Sequence, residues 1–238
     1  MDWTTISPNP NHPQVHAALE SDLKQKQIPA IYDRNYYFAQ WARGKSVLDI
    51  GIVGQSLQYW TSPAWLHRYI HEAASSCIGI DTNEQGVKLL RERGYDAQLI
   101  DATSKVFLGK TFDVIVAGEF LEHISQFEDF FCFCSRHANN QTHLLLSSPN
   151  PHYIEHICRI LGKGMFLSNA EHVAWISPTH ILELCRRTEW SLVNYTIVVG
   201  SQNSFCQKVV IPMVLRYHKR SLPEWLGYAY IYVLGIRC

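Results

Sequence analysis

SVLDIGIVG, residues 46–54, is the stretch on which the reading of this chain turns. Apolar and β-branched residues run up to an acid, Asp49, and a glycine, Gly51, where the chain must turn sharply. That is the pattern of a buried parallel strand delivering its carboxyl end to a ligand. In an open α/β sheet the ligand crevice lies outside those carboxyl ends. Asp49 offers a charge-assisted acceptor there, and Gly51, lacking a Cβ, lets the backbone come close to whatever binds.

Working outward, short apolar runs at 76–80, 96–100, 112–117 and 142–147 predict four more strands. Helices are predicted at 84–93, closed by Gly94, and over most of 119–137. Upstream, 14–27 and 33–43 read as two helices, with Gly44 at the C-terminal glycine position. A helix is expected within 62–74, where Ser62 and Pro63 make an N-cap and first helical position. Ser177-Pro178 opens another that runs to 187, and 190–199 and 227–236 complete seven strands. Strand and helix alternate at the length of a βα unit, which implies a mainly parallel sheet with helices on both faces.

The bulk numbers narrow the function classes. The 238 residues are 47% hydrophobic and 18% charged, enough for a core and against wholesale disorder. Lys plus Arg and Asp plus Glu are 21 each, so no net basic field exists to collect nucleic acid. Seven irregularly spaced cysteines do not form a disulfide framework. The polar, proline-rich start has no apolar signal region, and no apolar run approaches the ~20 residues that span a bilayer. These features lead to the expectation of a reduced, cytoplasmic protein.

Two further strand ends carry acids. Asp81 ends the second strand, where nucleotide-binding α/β folds place an acceptor for ribose hydroxyls. Asp81, Thr82 and Asn83 are also good helix caps. Asp101-Ala102 follows the third strand, where a carboxylate could approach an adenine amino group or cap a turn.

VLDIG, IGID, the DA of LIDA and FDVIVAGEFLEHI (residues 112–124) resemble the successive motifs of class I S-adenosylmethionine-dependent methyltransferases. The resemblance runs over about 45–199. SPAWLHRYI at 62–70 and EHVAWISP at 171–178 are similar to a small-molecule subgroup found in glycan and natural-product biosynthesis. It implies a Rossmann-like, seven-stranded, mostly parallel sheet with an antiparallel last strand, helices on both faces and an N-terminal helical cap. The cap would be 1–44 and the methyltransferase domain 45–238, with an insert at about 201–225. S-adenosylmethionine would be the cofactor and S-adenosylhomocysteine its product. By the same resemblance Asp49, Gly51 and Gly54 would line the methionine end, and Asp81 would hold the ribose with Thr82 beside it. Asp101 and Ala102 would flank adenine, and Glu119 would close the pocket floor. One departure stands out: Val53 occupies the family's second glycine position and Gln55 the third. A cofactor approaching over Val53 would meet a β-branched side chain.

Methyl transfer is an in-line displacement, so positioning and desolvation of the nucleophile supply most of the rate. An oxygen or nitrogen acceptor gains from a base near neutrality, and His123, just past the fourth strand, is the candidate, with Glu122 to orient it. A first-turn structural histidine is the plainer reading. His172 and Trp175 are candidate substrate-wall residues, in a segment where a structural histidine and a core tryptophan are equally natural. The expected acceptor is a small molecule, methylated at oxygen rather than nitrogen.

The pairs His67/His71 and His152/His156 have helical metal-ligand spacing but no evident third ligand, so no metal is expected. Cys132 and Cys134 diverge on a helix and are expected to be buried small residues. Residues 205–220 mix an apolar run with a basic end. They could meet a membrane surface peripherally, or cover a sheet edge or a homodimer interface. Two other functions share parts of this pattern. A nicotinamide-dependent oxidoreductase would want its glycine turn to run straight into a helix, which IVGQSLQYWTSP does poorly. A non-catalytic relative would keep the fold as a binding module.

Overall fold

A computed structural model describes residues 1–200 and 222–237. The seven expected strands are present: β1 (Ser46–Ile50), β2 (Ser76–Asp81), β3 (Ala97–Leu99), β4 (Val114–Gly118), β5 (His143–Pro149), β6 (Trp190–Val198) and β7 (Ala229–Ile236). They form one sheet in the order β3-β2-β1-β4-β5-β7-β6. β1 to β5 pair in parallel, and β7 inserts antiparallel between β5 and β6. This is the Rossmann-like arrangement with the reversed last strand. The expected basic and apolar stretch at 205–220 lies outside the described residues.

Period-two alternation sorts the strand residues onto two faces. Leu48, Ile50, Ile115, Leu144 and Tyr232 pack on one side with Phe130 and Phe131 of α5 (Phe127–Arg136) and with Ile181 of α7 (Pro178–Arg187). Val47, Val114, Val116, Leu145 and Val233 face Phe38 of α2 (Arg34–Ala42) and Ile70 of α3 (Leu66–Ala73). Asp49 shares the face of Val47, and this alternation aims its carboxylate at α3.

The N-terminal segment is stitched onto the sheet. After α1 (Pro13–Lys26), Ile28 N donates to Tyr195 O and Val199 N donates to Ile31 O, covering the outer edge of β6. Covering an edge removes a template for unwanted strand pairing. Trp3 Nε1 donates to Glu183 on α7 at 2.9 Å, and Arg186 and Arg187 bond the same carboxylate at 2.8–2.9 Å. These donors, Arg186 first, hold the Glu183 carboxyl down to about 2. Its folded value is depressed, so the stability it adds is present above the unfolded value of about 4.5 and fades as pH falls toward 2. Glu183→Gln should lower stability by about 1 kcal/mol at pH 7, a figure discounted for partial exposure. Urea unfolding should show that difference shrinking at pH 3; an equal difference at both pH values would contradict the ion-pair account.

Two local expectations are corrected. The helix expected within 62–74 is there, but it starts at Leu66 rather than at Ser62-Pro63, because Trp65 N donates to Ser62 O and closes 62–65 into a turn ahead of it. The helix expected over 119–137 is split into a 3-10 turn, Leu121–His123, and α5. A helix not expected from the sequence, α6 (Ile154–Lys163), fills part of the 150–175 loop and ends on left-handed Gly164. Cys134 is buried as expected, whereas Cys132 is exposed. No helix among the described residues is long and apolar enough to cross a membrane.

Candidate active site

The carboxyl ends of β1, β2 and β4 surround a cavity of about 560 Å³, a size that suits a small molecule. Asp49, Gly51 and Gly54 reach it from β1 and the following loop. Asp81 and Thr82 line it at the end of β2, Ala102 after β3, and Glu119 and His123 after β4. His172 joins from the chain after α6. Residues from five separate motifs therefore share one space.

The loop after β1 is shaped by its glycines. Gly51 and Gly54 have φ of +80° and +72°, which L side chains rarely adopt. A Cβ on Gly51 would also press to 3.1 Å from the Phe120 ring, narrowing the cavity wall. Val53 points elsewhere: it is buried and packs on Gly86 of α4 (Glu84–Glu92), while Gln55 faces the cavity. The obstruction expected from a β-branched residue at this position is absent from the cavity wall. Residues 51–65 separate β1 from α3, and Trp65 Nε1 pins this loop by donating to Ile52 O at 2.7 Å. The glycine turn therefore does not run into a helix N-terminus, the feature a dinucleotide fold requires.

The four acids behave differently. Asp49 is buried, with Oδ2 2.7 Å from His67 Nδ1 on α3. Burial pushes its carboxyl up, opposed by the bond to His67. Asp81 Oδ2 accepts from Val53 N and Oδ1 from Asn83 N, both at 2.9 Å. The cap of α4 is Asn83, which accepts from Gly86 N. Asp81 is thus held between two loops at the cavity edge. Asp101 is exposed and turned away: Oδ1 accepts from Thr103 N and Oγ1, and Ile100 and Ala102 form the wall there instead. Glu119 sits at φ +53°, the one non-glycine residue at positive φ among those described. Its carboxylate meets Arg34 at 2.5 Å. Sequence reading did not bring out Arg34, since nothing local links the start of α2 to a residue after β4.

Beyond Glu119 lies a second polar corner. Glu122 is 1% exposed, and neither carboxylate oxygen has a hydrogen-bond partner of normal geometry. Burial pushes its carboxyl up to about 8, with the Glu119 charge adding to the effect. The His123 and His172 rings meet edge to face at 4.8 Å, and burial holds His172 below the usual imidazole range. Glu171 is 3.9 Å from His123 and mostly exposed. The backbone fixes this corner, since Val173 N donates to Glu122 O at 2.8 Å. Trp175 does not line the cavity; it stands behind His172, with ring centroids 6.3 Å apart.

A family described as "Methyltransferase domain" matches residues 25–195. Solved structures share the fold at low identity. A putative methyltransferase from Bacillus halodurans C-125 is 12% identical with a TM-score of 0.55, covering 86% of this chain and 98% of that one. A SAM-dependent methyltransferase from Archaeoglobus fulgidus is 16% identical with a TM-score of 0.54, covering 85% and 90%. The N-methyltransferase NodS from Bradyrhizobium japonicum WM9, in complex with S-adenosyl-l-homocysteine, is 14% identical with a TM-score of 0.53, covering 85% of each chain. No curated protein matches the sequence.

Proposed function

We propose that this chain, which belongs to the methyltransferase-domain family, methylates an oxygen of a small-molecule acceptor held at the Glu122–His123–His172 corner. The protein is an S-adenosylmethionine-dependent methyltransferase. The cofactor, when bound, supplies a methyl group on a sulfonium sulfur. The cavity fits it on chemical grounds. Each Asp81 oxygen uses one lone-pair site on a backbone N–H and keeps another for a ribose hydroxyl. Ile100 and Ala102 offer an apolar slot for a flat base. Gly51 leaves the space that a Cβ would fill. Arg34 and Glu119 match an amino-acid zwitterion, carboxylate to guanidinium and ammonium to carboxylate. Arg34 would be the contribution of the N-terminal cap, residues 1–44, to the site on 45–238.

The single observation that carries the acceptor reading is the continuity of this cavity with His123 and His172. A hydroxyl is a weak nucleophile until it loses its proton, and His123, facing the cavity, can accept that proton. A neutral amine already has its lone pair and gains less from such a group than a hydroxyl does. The acids Glu119 and Glu171 at the same mouth would repel a polyanionic backbone. Asp49, paired with His67, shapes the methionine end by holding β1 against α3.

Incubation with radiolabelled S-adenosylmethionine and a panel of phenols, sugars, amines and RNA tests this. The expected result is O-methylation of a small molecule. Transfer only to amines would overturn the oxygen preference, and transfer only to RNA the small-molecule class.

A further inference from the structure

We propose that Glu122, His123 and His172 form a binding site for a first-row divalent cation at the acceptor end of the cavity. One candidate ligand atom from each residue lies within 4.8 Å of the others. Two imidazoles and a carboxylate on a shared point are the donor set that such cations select, and hard magnesium or calcium would want more oxygens. Ligands around one cation at about 2.1 Å stand roughly 3.0–3.4 Å apart, so the corner must contract by about 1.5 Å. His123, partly exposed at the cavity mouth, can rotate to supply that movement.

The independent sign of a missing ligand is Glu122. Both of its oxygens and Nδ1 of His172 are buried without a hydrogen-bond partner of normal geometry, the Ser148 side chain being the polar group near the carboxyl. An orphaned buried carboxylate is costly unless something in the site compensates it. The bond from Val173 N to Glu122 O holds the two ligating segments together before any cation arrives. His67/His71 and His152/His156, whose spacing alone suggests metal ligands, gather no third ligand among the described residues. His67 is taken by Asp49, and His156 stacks on Phe166 at 4.1 Å.

The inference rests on the oxygen-methylation reading and changes the part His123 plays in it, from proton acceptor to ligand. His123 and His172 line the cavity, so an ion held by them and by the buried Glu122 could act as a Lewis acid on an acceptor hydroxyl there. The hydroxyl proton leaves to water, the carbon–sulfur bond breaks as the carbon–oxygen bond forms, and the sulfonium becomes a neutral thioether.

The test uses the full chain, stripped with a chelator and titrated with Co²⁺ by visible absorption and with Zn²⁺ by calorimetry. One ion per chain is expected. Glu122→Gln and His172→Ala should each weaken it by about 100-fold or more, beyond the 10–100-fold typical of losing only a supporting contact. S-adenosylhomocysteine should still bind both variants, within about threefold of the parent, which reports that they are folded. No ion binding to the parent, or binding that both folded variants retain, would overturn the site. Ion binding without S-adenosylhomocysteine binding would sustain the site while refuting the cofactor reading.

Discussion

Asp81→Ala should weaken S-adenosylhomocysteine binding by about 100-fold or more, while the protein stays folded. Hydrogen bonds to a charged acceptor are worth about 1.5–3 kcal/mol each, and two ribose hydroxyls would be lost together. At roughly 1.4 kcal/mol per tenfold, even partial compensation by water leaves about two decades. A second contribution comes from the unliganded protein. Asp81 Oδ2 holds Val53 N, so the alanine variant also frees the loop that carries Gly51 and Gly54. Asp81→Asn separates the two effects: its carbonyl oxygen can still accept from Val53 N, but one acceptor site becomes a donor. It should fall between the parent and the alanine variant, losing about tenfold. Calorimetric titration of all three proteins decides the matter. Equal affinity across them would remove Asp81 from the cofactor site and reopen the question of what occupies the cavity.

The parts of this molecule that a linear reading reached are those encoded by local periodicity. Residues 46–50 read as a strand because Val47, Leu48 and Ile50 are buried between two layers of helices. The acid at each strand end could be seen because a polar residue after an apolar run marks where the sheet stops. Asp101 looked equivalent to Asp81 by that rule, yet it closes its own turn on Thr103; backbone direction after the strand decides the difference, and residue type does not carry it. The helix α6 was hidden by the turn signals of Pro149 and Pro151 and by an apolar stripe, Ile157, Ile160 and Leu161, that stays exposed. The Arg34–Glu119 pair joins segments with no shared pattern. GEFLEHI advertised its acids and histidine but not their directions. Those depend on the tight turn at Leu121–His123, which sends Glu122 inward and leaves His123 at the cavity.

Gly86→Ala should destabilise the fold by about 2 kcal/mol, and adding Val53→Ala to it should cost nothing further. A Cβ at Gly86 would sit 2.4 and 2.6 Å from the two Val53 methyls and 3.0 Å from its Cβ. None of these is the far end of a flexible chain, so α4 must move away from the loop. Overpacking of this kind costs about 1–3 kcal/mol, occasionally more, and exceeds the ~1 kcal/mol that alanine gains over glycine in a helix. Val53→Ala alone removes two buried methyl groups and should cost about 2 kcal/mol. In the double variant the new methyl occupies the vacated space, so the two losses should fail to add by about 2 kcal/mol. Urea unfolding of the four proteins measures that coupling. Titration with S-adenosylhomocysteine adds a second requirement: Val53→Ala should bind within about threefold of the parent, because Val53 faces α4 rather than the ligand. The complementary pair Val53 and Gly86 would then explain how this chain departs from the usual glycine pattern without closing its cavity: the bulk absent from α4 is the bulk present in the loop. A large change in affinity with unchanged stability would instead place Val53 against the cofactor.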